Sequence, residues 1–234
     1  MKSGLRFIEA ASKMQLALLG ATGKTGGELL KQALEEGHSV TAVVRDPAKI
    51  TTAHDNLKVV KADVFDESSL AKPFADQDAV VSCLGFPRNP QPVTGYTESM
   101  KAIVGAMRNA NIERIVTMTA WYTDTSVAPR MGFLANWVIV PILRPVLLGM
   151  FDMEKFLKEK CSDINYTVVR PPGLGSAPKT GLPMSVEEDY IVETGTSFNK
   201  TNRSDVAAFM LSCLKTSDYD QKMVAITTQK KLGS

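Results

Sequence analysis

The sequence predicts an α/β protein of one domain, built on a doubly wound parallel β-sheet. Short apolar runs rich in β-branched residues recur along the 234-residue chain, and segments with helical spacing separate most of them. A glycine-rich turn joins the first apolar run to the first helical segment. Strands that alternate with helices of this length form a parallel sheet that helices cover on both faces.

Each strand is predicted from an apolar run. The first run, at 14–19 (MQLALL), leads into a glycine and is typical of a buried strand. Runs of the same kind predict six more strands, at 39–44, 57–61, 79–83, 115–118, 166–169 and 223–227.

The helices are predicted from apolar residues that recur on one side. Leu29, Leu30, Ala33 and Leu34 share one face of a helix at 25–36, which Gly37 ends. Similar spacing predicts helices at 67–74, 97–109 and 151–160, and Ser204 is a favoured N-cap for a last helix that reaches Leu214. We assign 14–228 to the domain, 1–13 to an N-terminal extension and 229–234 to a tail.

Composition limits the classes of function. The net charge is +2 and the basic residues are scattered, so we expect no nucleic-acid partner. Three widely spaced cysteines and two histidines offer no metal-ligand spacing, which predicts reduced thiols and no metal site. Residues 1–13 lack the long apolar run of a secretory signal. We therefore expect a cytoplasmic protein.

One apolar segment, 131–151 (MGFLANWVIVPILRPVLLGMF), differs from the rest of the chain. Its length is close to that of a membrane span, roughly 20 residues, but Pro141, Arg144 and Pro145 interrupt it. We expect no membrane span, because a broken and charged run inserts poorly. Two interpretations remain: short core helices broken at the prolines, or an apolar wall over a substrate pocket that can also serve as a partner or self-association surface.

The glycine-rich turn at 20–26 (GATGKTG) has the layout of a pyrophosphate-binding loop. Gly20 allows a sharp turn, Gly23 lets the backbone approach the phosphates, and Gly26 lets the helix pack on the sheet. The free N–H groups at the helix start attract anions, so we assign the loop, with Thr22, Lys24 and Thr25, to a dinucleotide in a Rossmann-type domain. A nucleotide-triphosphate loop would need a glycine where Leu18 stands.

The end of the second strand indicates which dinucleotide is bound. An acidic residue about 20 positions after the loop would bind the ribose hydroxyl of NAD, and Arg45 stands there instead. A guanidinium suits the 2′-phosphate of NADP(H), with Lys24 and Lys49 as further cations nearby. The alternative is a solvated surface arginine beside Asp46.

Several motifs, read together, resemble the atypical short-chain dehydrogenase/reductase group. The likeness extends over about 14–228 and is nearest to NAD(P)H-binding proteins related to flavin reductase (biliverdin IXβ reductase), with NmrA-like regulators further off. It is carried by GATGKTG at 20–26, VVRDPAK at 43–49, ADV at 62–64, LG at 84–85, VTMTA at 116–120 and VRPPG at 169–173.

This resemblance implies further contacts to the cofactor. Asp63 and Val64 would border the adenine, and Leu84, Gly85 and Arg88 would line the middle of the dinucleotide. Thr119 and the turn formed by Pro171, Pro172 and Gly173 would lie beside the nicotinamide. All of them follow predicted strands, where open parallel sheets bind ligands.

The chain departs from the larger superfamily in its proton donor. The superfamily carries a tyrosine four residues before a lysine, and no tyrosine of this chain has lysine at that position. Phe151 and Lys155 have the spacing, but phenylalanine donates no proton. Ala120 and Gly173 stand where flavin reductase-like proteins carry a serine and a histidine.

These observations predict an NADPH-dependent reductase that passes hydride to a conjugated acceptor such as a flavin, a linear tetrapyrrole or a quinone. Tyr122 and Lys155 are the candidate proton donors, although Tyr122 also suits a rim aromatic that packs on the apolar segment. Asp152 and Glu154 are interpreted as helix-start charges.

The alternative function is a non-catalytic NmrA-like sensor that binds NADP(H) and acts on a protein partner. An isomerase or dehydratase of a nucleotide sugar ranks third, since it usually needs the tyrosine–lysine pair.

Overall fold

The computed structural model describes residues 13–88, 90–194 and 200–229. The ten strands within these ranges, in chain order, are β1 Gln15–Leu19, β2 Ser39–Val44, β3 Leu57–Lys61, β4 Ala79–Ser82, β5 Arg114–Met118, β6 Asn165–Arg170, β7 Gly173–Gly175, β8 Met184–Glu187, β9 Lys200–Asn202 and β10 Lys222–Thr228. Eight of them form one sheet in the order β3-β2-β1-β4-β5-β6-β10-β8, while β7 and β9 pair separately.

The main sheet is parallel except at one edge, where β8 runs antiparallel to β10. The chain winds outward in both directions from β1, so the direction of winding reverses between β1 and β4. In open sheets of this kind the crevice at such a reversal, beyond the carboxyl ends of the strands, binds ligands. The predicted Rossmann-type sheet is confirmed.

Five α-helices of the described residues cover the sheet: α1 Lys24–Glu35, α2 Glu67–Phe74, α3 Gly95–Asn109, α4 Val140–Lys160 and α5 Arg203–Ser212. In β1, Leu16 and Leu18 enter the core formed with α1 and α5, while Ala17 and Leu19 enter the core formed with the other helices. A central strand that is buried on both faces must be apolar at successive positions, which explains the uninterrupted run in the sequence.

The predicted start of the helix that includes the apolar segment was wrong. The helix expected at 151–160 begins eleven residues earlier, at Val140, and follows a π-helical turn at Ala135–Ile139. Pro141 lies in the first turn, where no internal N–H is needed, and Pro145 lies inside the helix without ending it. Asp152 and Glu154 therefore lie inside the helix, and their interpretation as helix-start charges was wrong.

Two other details differ from the predictions. The last helix begins at Arg203 after Asn202, and Ser204 is not its cap: its hydroxyl donates to the carbonyl of Ala177. The strands β7, β8 and β9 were not predicted, because each has only three or four residues and lacks a continuous apolar run. The extension at 1–13 and the tail at 229–234 lie, except for one residue each, outside the described residues.

Within the described ranges, one helical stretch has the length and composition of a membrane span. It is Ala135–Lys160, with a mean hydropathy of 1.3 in its most apolar window. The second half of this stretch carries Met153 and Leu157 into the protein core. The expectation that this segment does not span a membrane stays a prediction.

Candidate functional site

The glycine-rich turn is shaped by close backbone contacts. Gly20 has a φ of +81°, and a Cβ atom there would stand 2.5 Å from the carbonyl oxygen of Cys83 on the neighbouring β4 end. A Cβ atom at Gly26 would collide with the carbonyl of Gly20. Both positions therefore require glycine, for a turn and for a close approach of helix to strand.

The start of α1 is open to an anion. Gly23 takes the N-cap position, where it makes no side-chain cap, and its N–H donates to the carbonyl of Gly20 at 2.9 Å. Thr22, Gly23 and Lys24 are exposed, whereas Thr25 and Gly26 are buried under them. An uncapped helix start with a small residue at its tip offers N–H donors and a partial positive charge to a phosphate.

A cleft opens above this turn at the reversal of winding. It collects residues from the ends of four strands, and seven of the predicted cofactor residues line it: Gly20, Thr22, Gly23, Arg45, Val64, Leu84 and Gly85. A side chain added at Gly85 would point into open space. The cleft thus has the position and backbone shape that a dinucleotide requires.

Arg45 lies where this cleft meets a second hollow that is formed with Lys61, Asp63 and Ser69. Asp46 does not form an ion pair with Arg45 within the described chain; its carboxylate caps the following turn by accepting the N–H of Ala48 at 3.2 Å. The guanidinium is exposed. It is therefore available to an anionic group at this end of the cleft.

Asp63 shapes the turn that borders the hollow. Its carboxylate accepts the N–H of Phe65 at 3.0 Å, and its own N–H donates to Ser69 Oγ at 2.9 Å. Lys49 is exposed in the turn Pro47–Lys49 and lines neither cavity. Arg88 lies in a different hollow with Phe86 and Pro87. The structure thus brings Asp63 to the cleft margin and leaves Lys49 and Arg88 outside.

Two aromatic residues of the cleft were missed in the sequence. Phe65 is 46% exposed, and its ring centroid lies 5.6 Å from that of Phe86, which in turn meets Tyr96 edge-on at 5.0 Å. Phe65 and Phe86 directly follow Val64 and Gly85. The available signal was an aromatic residue next to each predicted contact at a strand end, where a flat base can stack.

A second pocket lies at the ends of β5 and β6, along the same edge of the sheet. It is lined by Ala120, Trp121, Tyr122 and the turn Pro171–Pro172–Gly173, and by Ile139, Leu143 and Leu147 of the apolar segment. The other side of that segment faces outward: Phe133, Trp137, Val138 and Ile142 are exposed. The segment therefore forms a pocket wall and also presents an apolar outer face.

Tyr122 occupies a strained position in this pocket. Its φ is +63°, a region that bulky side chains rarely adopt, and only 6% of the residue is exposed. Its hydroxyl and the Nε1 atom of Trp121 are buried and have no hydrogen-bond partner among the described residues. Burial raises the pKa of the Tyr122 phenol, which keeps it in the proton-bearing form.

Lys155, the other candidate donor, is not brought to this pocket. Its side chain is 60% exposed, and its Nζ lies 3.8 Å from the carboxylate of Glu159 on the next turn of α4. Phe151, which has the spacing of the missing tyrosine, packs against Tyr190 with a centroid distance of 6.3 Å. Neither residue of this pair therefore offers a proton donor to the pocket.

Glu154 holds the loop that carries Trp121 and Tyr122. Its carboxylate accepts hydrogen bonds from the hydroxyls of Thr119 at 2.7 Å and Thr123 at 3.0 Å, which flank the two aromatic residues. It also pairs with the guanidinium of Arg170 from β6. The hydroxyl of Thr119, predicted to lie beside the nicotinamide, is thus engaged below the pocket.

Comparison with known proteins agrees with this architecture. Residues 20–217 match the model of the NAD(P)H-binding family. An uncharacterized chloroplastic protein of Arabidopsis thaliana is 29% identical over 232 residues, which span 94% of this chain and 79% of that protein. A photosystem II assembly factor of Cyanophora paradoxa is 22% identical over 94% of this chain and 65% of its own length.

Solved structures share the fold at low identity. The oxidoreductase ylbE of Lactococcus lactis superposes with a TM-score of 0.76 at 18% identity, covering 93% of this chain and 92% of that one. ChuY, named an anaerobilin reductase, from Escherichia coli O157:H7, superposes with a TM-score of 0.70 at 19% identity, covering 94% of this chain and all of that one. The glycine turn, the cleft and the matched residues lead to one conclusion: this chain belongs to the NAD(P)H-binding family.

Proposed function

We propose that this protein is an NADPH-dependent reductase of a conjugated acceptor. The observation that carries the proposal is the apolar pocket beside Gly173, which the segment 131–151 closes. This pocket and the dinucleotide cleft follow the ends of adjacent strands, β4 and β5, on one edge of the sheet. A substrate in the pocket would lie next to the end of the cleft, where the family resemblance places the nicotinamide.

Preference for NADPH over NADH rests on Arg45. The second strand ends in this exposed cation in place of a carboxylate, and Asp46 is occupied in capping the following turn. A planar guanidinium binds a phosphate with two charge-assisted hydrogen bonds. Lys61 lines the same hollow and adds positive charge at the site proposed for the 2′-phosphate.

The chain's own residues have limited tasks in this reaction. Bound NADPH supplies a hydride, and reduction of the acceptor is completed by one proton. The apolar walls orient a flat acceptor and exclude water. Tyr122, kept protonated by burial, donates the proton at its Oη atom and recovers one from solvent. The fold shared with a protein named an anaerobilin reductase agrees with a conjugated acceptor.

NADPH consumption by the purified protein tests this proposal. Flavin, biliverdin and quinone acceptors are compared, with NADH in parallel. We expect turnover with at least one acceptor, and an Arg45→Ala variant with a raised KM for NADPH but not for NADH. Lys58→Ala is the matched control, because this exposed lysine lies by the opposite ends of the strands. Tight NADPH binding without turnover on any acceptor would overturn the reductase.

The exposed outer face of the apolar segment favours a second candidate function. Phe133 is 76% exposed and Trp137 is 66% exposed, and large apolar patches of this kind mark interaction surfaces. A sensor of the NmrA type would bind NADP(H), perform no reaction and associate through this face. Its signature is NADPH-dependent self-association or partner binding that a Phe133→Ser/Trp137→Ser double variant abolishes, together with no turnover. Sedimentation of both proteins with and without NADPH measures the self-association.

A further inference from the structure

We infer that Trp121 and Tyr122 form a recognition site for a carbonyl oxygen of an uncharged, quinone-type ring compound in the pocket beside Gly173. The inference rests on the proposed function, whose acceptor it narrows to one chemical class. It concerns binding, and it adds Trp121, which no motif in the sequence indicated.

The first support is a pair of unsatisfied donors. The indole N–H of Trp121 and the hydroxyl of Tyr122 are buried without a partner within the described residues, and both residues line the same apolar pocket. A buried donor without a partner costs free energy, so each one in a native protein calls for an explanation. A ligand that brings an acceptor atom into the pocket removes this cost.

The second support is that the loop is held rigidly in an unfavourable conformation. Tyr122 keeps its φ of +63° while the flanking Thr119 and Thr123 are both bound to Glu154. The backbone is tied as well, because the N–H of Trp121 donates to the carbonyl of Pro171 at 3.0 Å. Strain that the surroundings impose on buried polar residues is a feature of ligand sites. It holds the two donors in place before any ligand arrives.

The third support concerns the class of ligand. The pocket walls are the side chains of Leu143, Leu147 and Pro172 with the two aromatic residues, and Lys200 is the one charged residue among the described residues that line it. Flavin nucleotides and bilins carry ionised phosphates or carboxylates, which are costly to bury in apolar surroundings. A quinone is uncharged, flat and apolar, and its carbonyl oxygens are the acceptors that the two donors lack.

Calorimetric titration of the full chain tests this inference without turnover. The two probes are a dimethylnaphthoquinone, whose methyl groups block addition of thiols, and a dimethylnaphthalene, which has the same rings but no carbonyl. Three variants are compared with the wild type: Trp121→Phe, Tyr122→Phe and, as the matched control, Tyr166→Phe. Tyr166 is a buried tyrosine of the main core that does not line the pocket.

We expect the quinone to bind more tightly than the hydrocarbon. Trp121→Phe and Tyr122→Phe should each weaken quinone binding about 3- to 10-fold, the effect of one neutral hydrogen bond, and leave hydrocarbon binding and the Tyr166→Phe control unchanged. Equal affinity for the two probes, equal losses for both in each variant, or no binding of the quinone would overturn the inference. If one of these results overturns the inference but the protein reduces a flavin or a bilin, the proposed reductase function still holds. Variant-sensitive quinone binding without NADPH consumption would support the inference and defeat the reductase.

Discussion

Glu154 and Arg170 form a buried ion pair beneath the apolar pocket. The Oε2 atom of Glu154 lies 2.8 Å from Nη2 of Arg170, and Oε1 lies 3.0 Å from Nε, with both side chains under 5% exposed. The guanidinium also stacks on Tyr190 at 4.1 Å from the ring centroid. The pair joins α4 to β6 and, through Thr119 and Thr123, to the loop of Tyr122.

Removing one partner of this pair should destabilise the fold strongly. Arg170→Met leaves the Glu154 carboxylate buried without its countercharge, and we expect the free energy of unfolding to fall by about 3–5 kcal/mol. Arg108→Met is the control, since Arg108 makes two bonds of 2.8 Å to Asp163 but lies at the surface. That change should cost under about 1 kcal/mol. Urea denaturation measures the loss of unfolding free energy in both variants. Equal losses would contradict the claim that the Glu154–Arg170 pair matters more because it is buried.

The glycine turn should respond differently to the same substitution at neighbouring positions. A Cβ atom at Gly26 would collide with the carbonyl of Gly20, whereas one at Gly27 would lie an ordinary 3.7 Å from the carbonyl oxygen of Ala21. Gly26→Ala should therefore distort the turn and weaken NADPH binding by roughly 10-fold or more, since a shift of the loop disturbs several phosphate contacts. Gly27→Ala should bind NADPH normally and gain up to about 1 kcal/mol of helix stability. Fluorescence titration with NADPH and thermal denaturation provide the two readouts. Equal losses of NADPH affinity in the two variants would show that the turn does not depend on the close approach of Gly26 to the carbonyl of Gly20.

The three cysteines should be unreactive in the folded protein. Burial raises the pKa of Cys83 and of Cys213 to about 12, and it also raises that of Cys161. Since the thiolate is the reactive form, a raised pKa lowers its fraction at about pH 8 well below that of a free cysteine. We expect a disulfide reagent to titrate none of the thiols in the native chain and all three after denaturation. Rapid modification of Cys83, which lines the dinucleotide cleft, would show that this end of β4 is more open than the structure indicates.

The protonation of Tyr122 predicts the pH profile of the reductase. Burial raises the pKa of this phenol above its usual value near 10, so the donor form persists up to and beyond that pH. The rate should therefore show no loss attributable to Tyr122 below about pH 10. Tyr122→Phe should lower kcat by roughly 10- to 100-fold, at the lower end for general acids because a conjugated acceptor also takes protons from water. A variant with unchanged kcat would assign Tyr122 to binding alone.

The sequence was informative where function depends on local pattern. The glycine turn, the strand that precedes it and Arg45 are close together in the chain, and each has a direct physical reason for its residue type. The parallel sheet with helices on both faces follows from the alternation of strands and helices along the chain. These features could be read without a structure because the contacts that define them are short in sequence.

The hydrogen-bond network beneath the second pocket and the donors within it could not be predicted in the same way. Glu154 contacts Thr119 across 35 positions and Thr123 across 31, and no periodicity records such a contact. The positive φ of Tyr122 also has no signal in the sequence, because tyrosine rarely adopts this region, whereas a glycine or an asparagine would have indicated it. The unsatisfied donors of Trp121 and Tyr122 become visible only when the apolar segment is folded over them.

The central claim is that this chain transfers hydride from NADPH to a conjugated acceptor in the pocket beside Gly173. The most direct measurement is a single-turnover experiment, in which the NADPH-loaded protein is mixed rapidly with a quinone and the nicotinamide absorbance is followed. The account predicts loss of that absorbance at a rate that saturates with quinone and that Tyr122→Phe slows. NADPH that stays reduced in the complex at every concentration of quinone, flavin and bilin would contradict it and leave the sensor as the function to test.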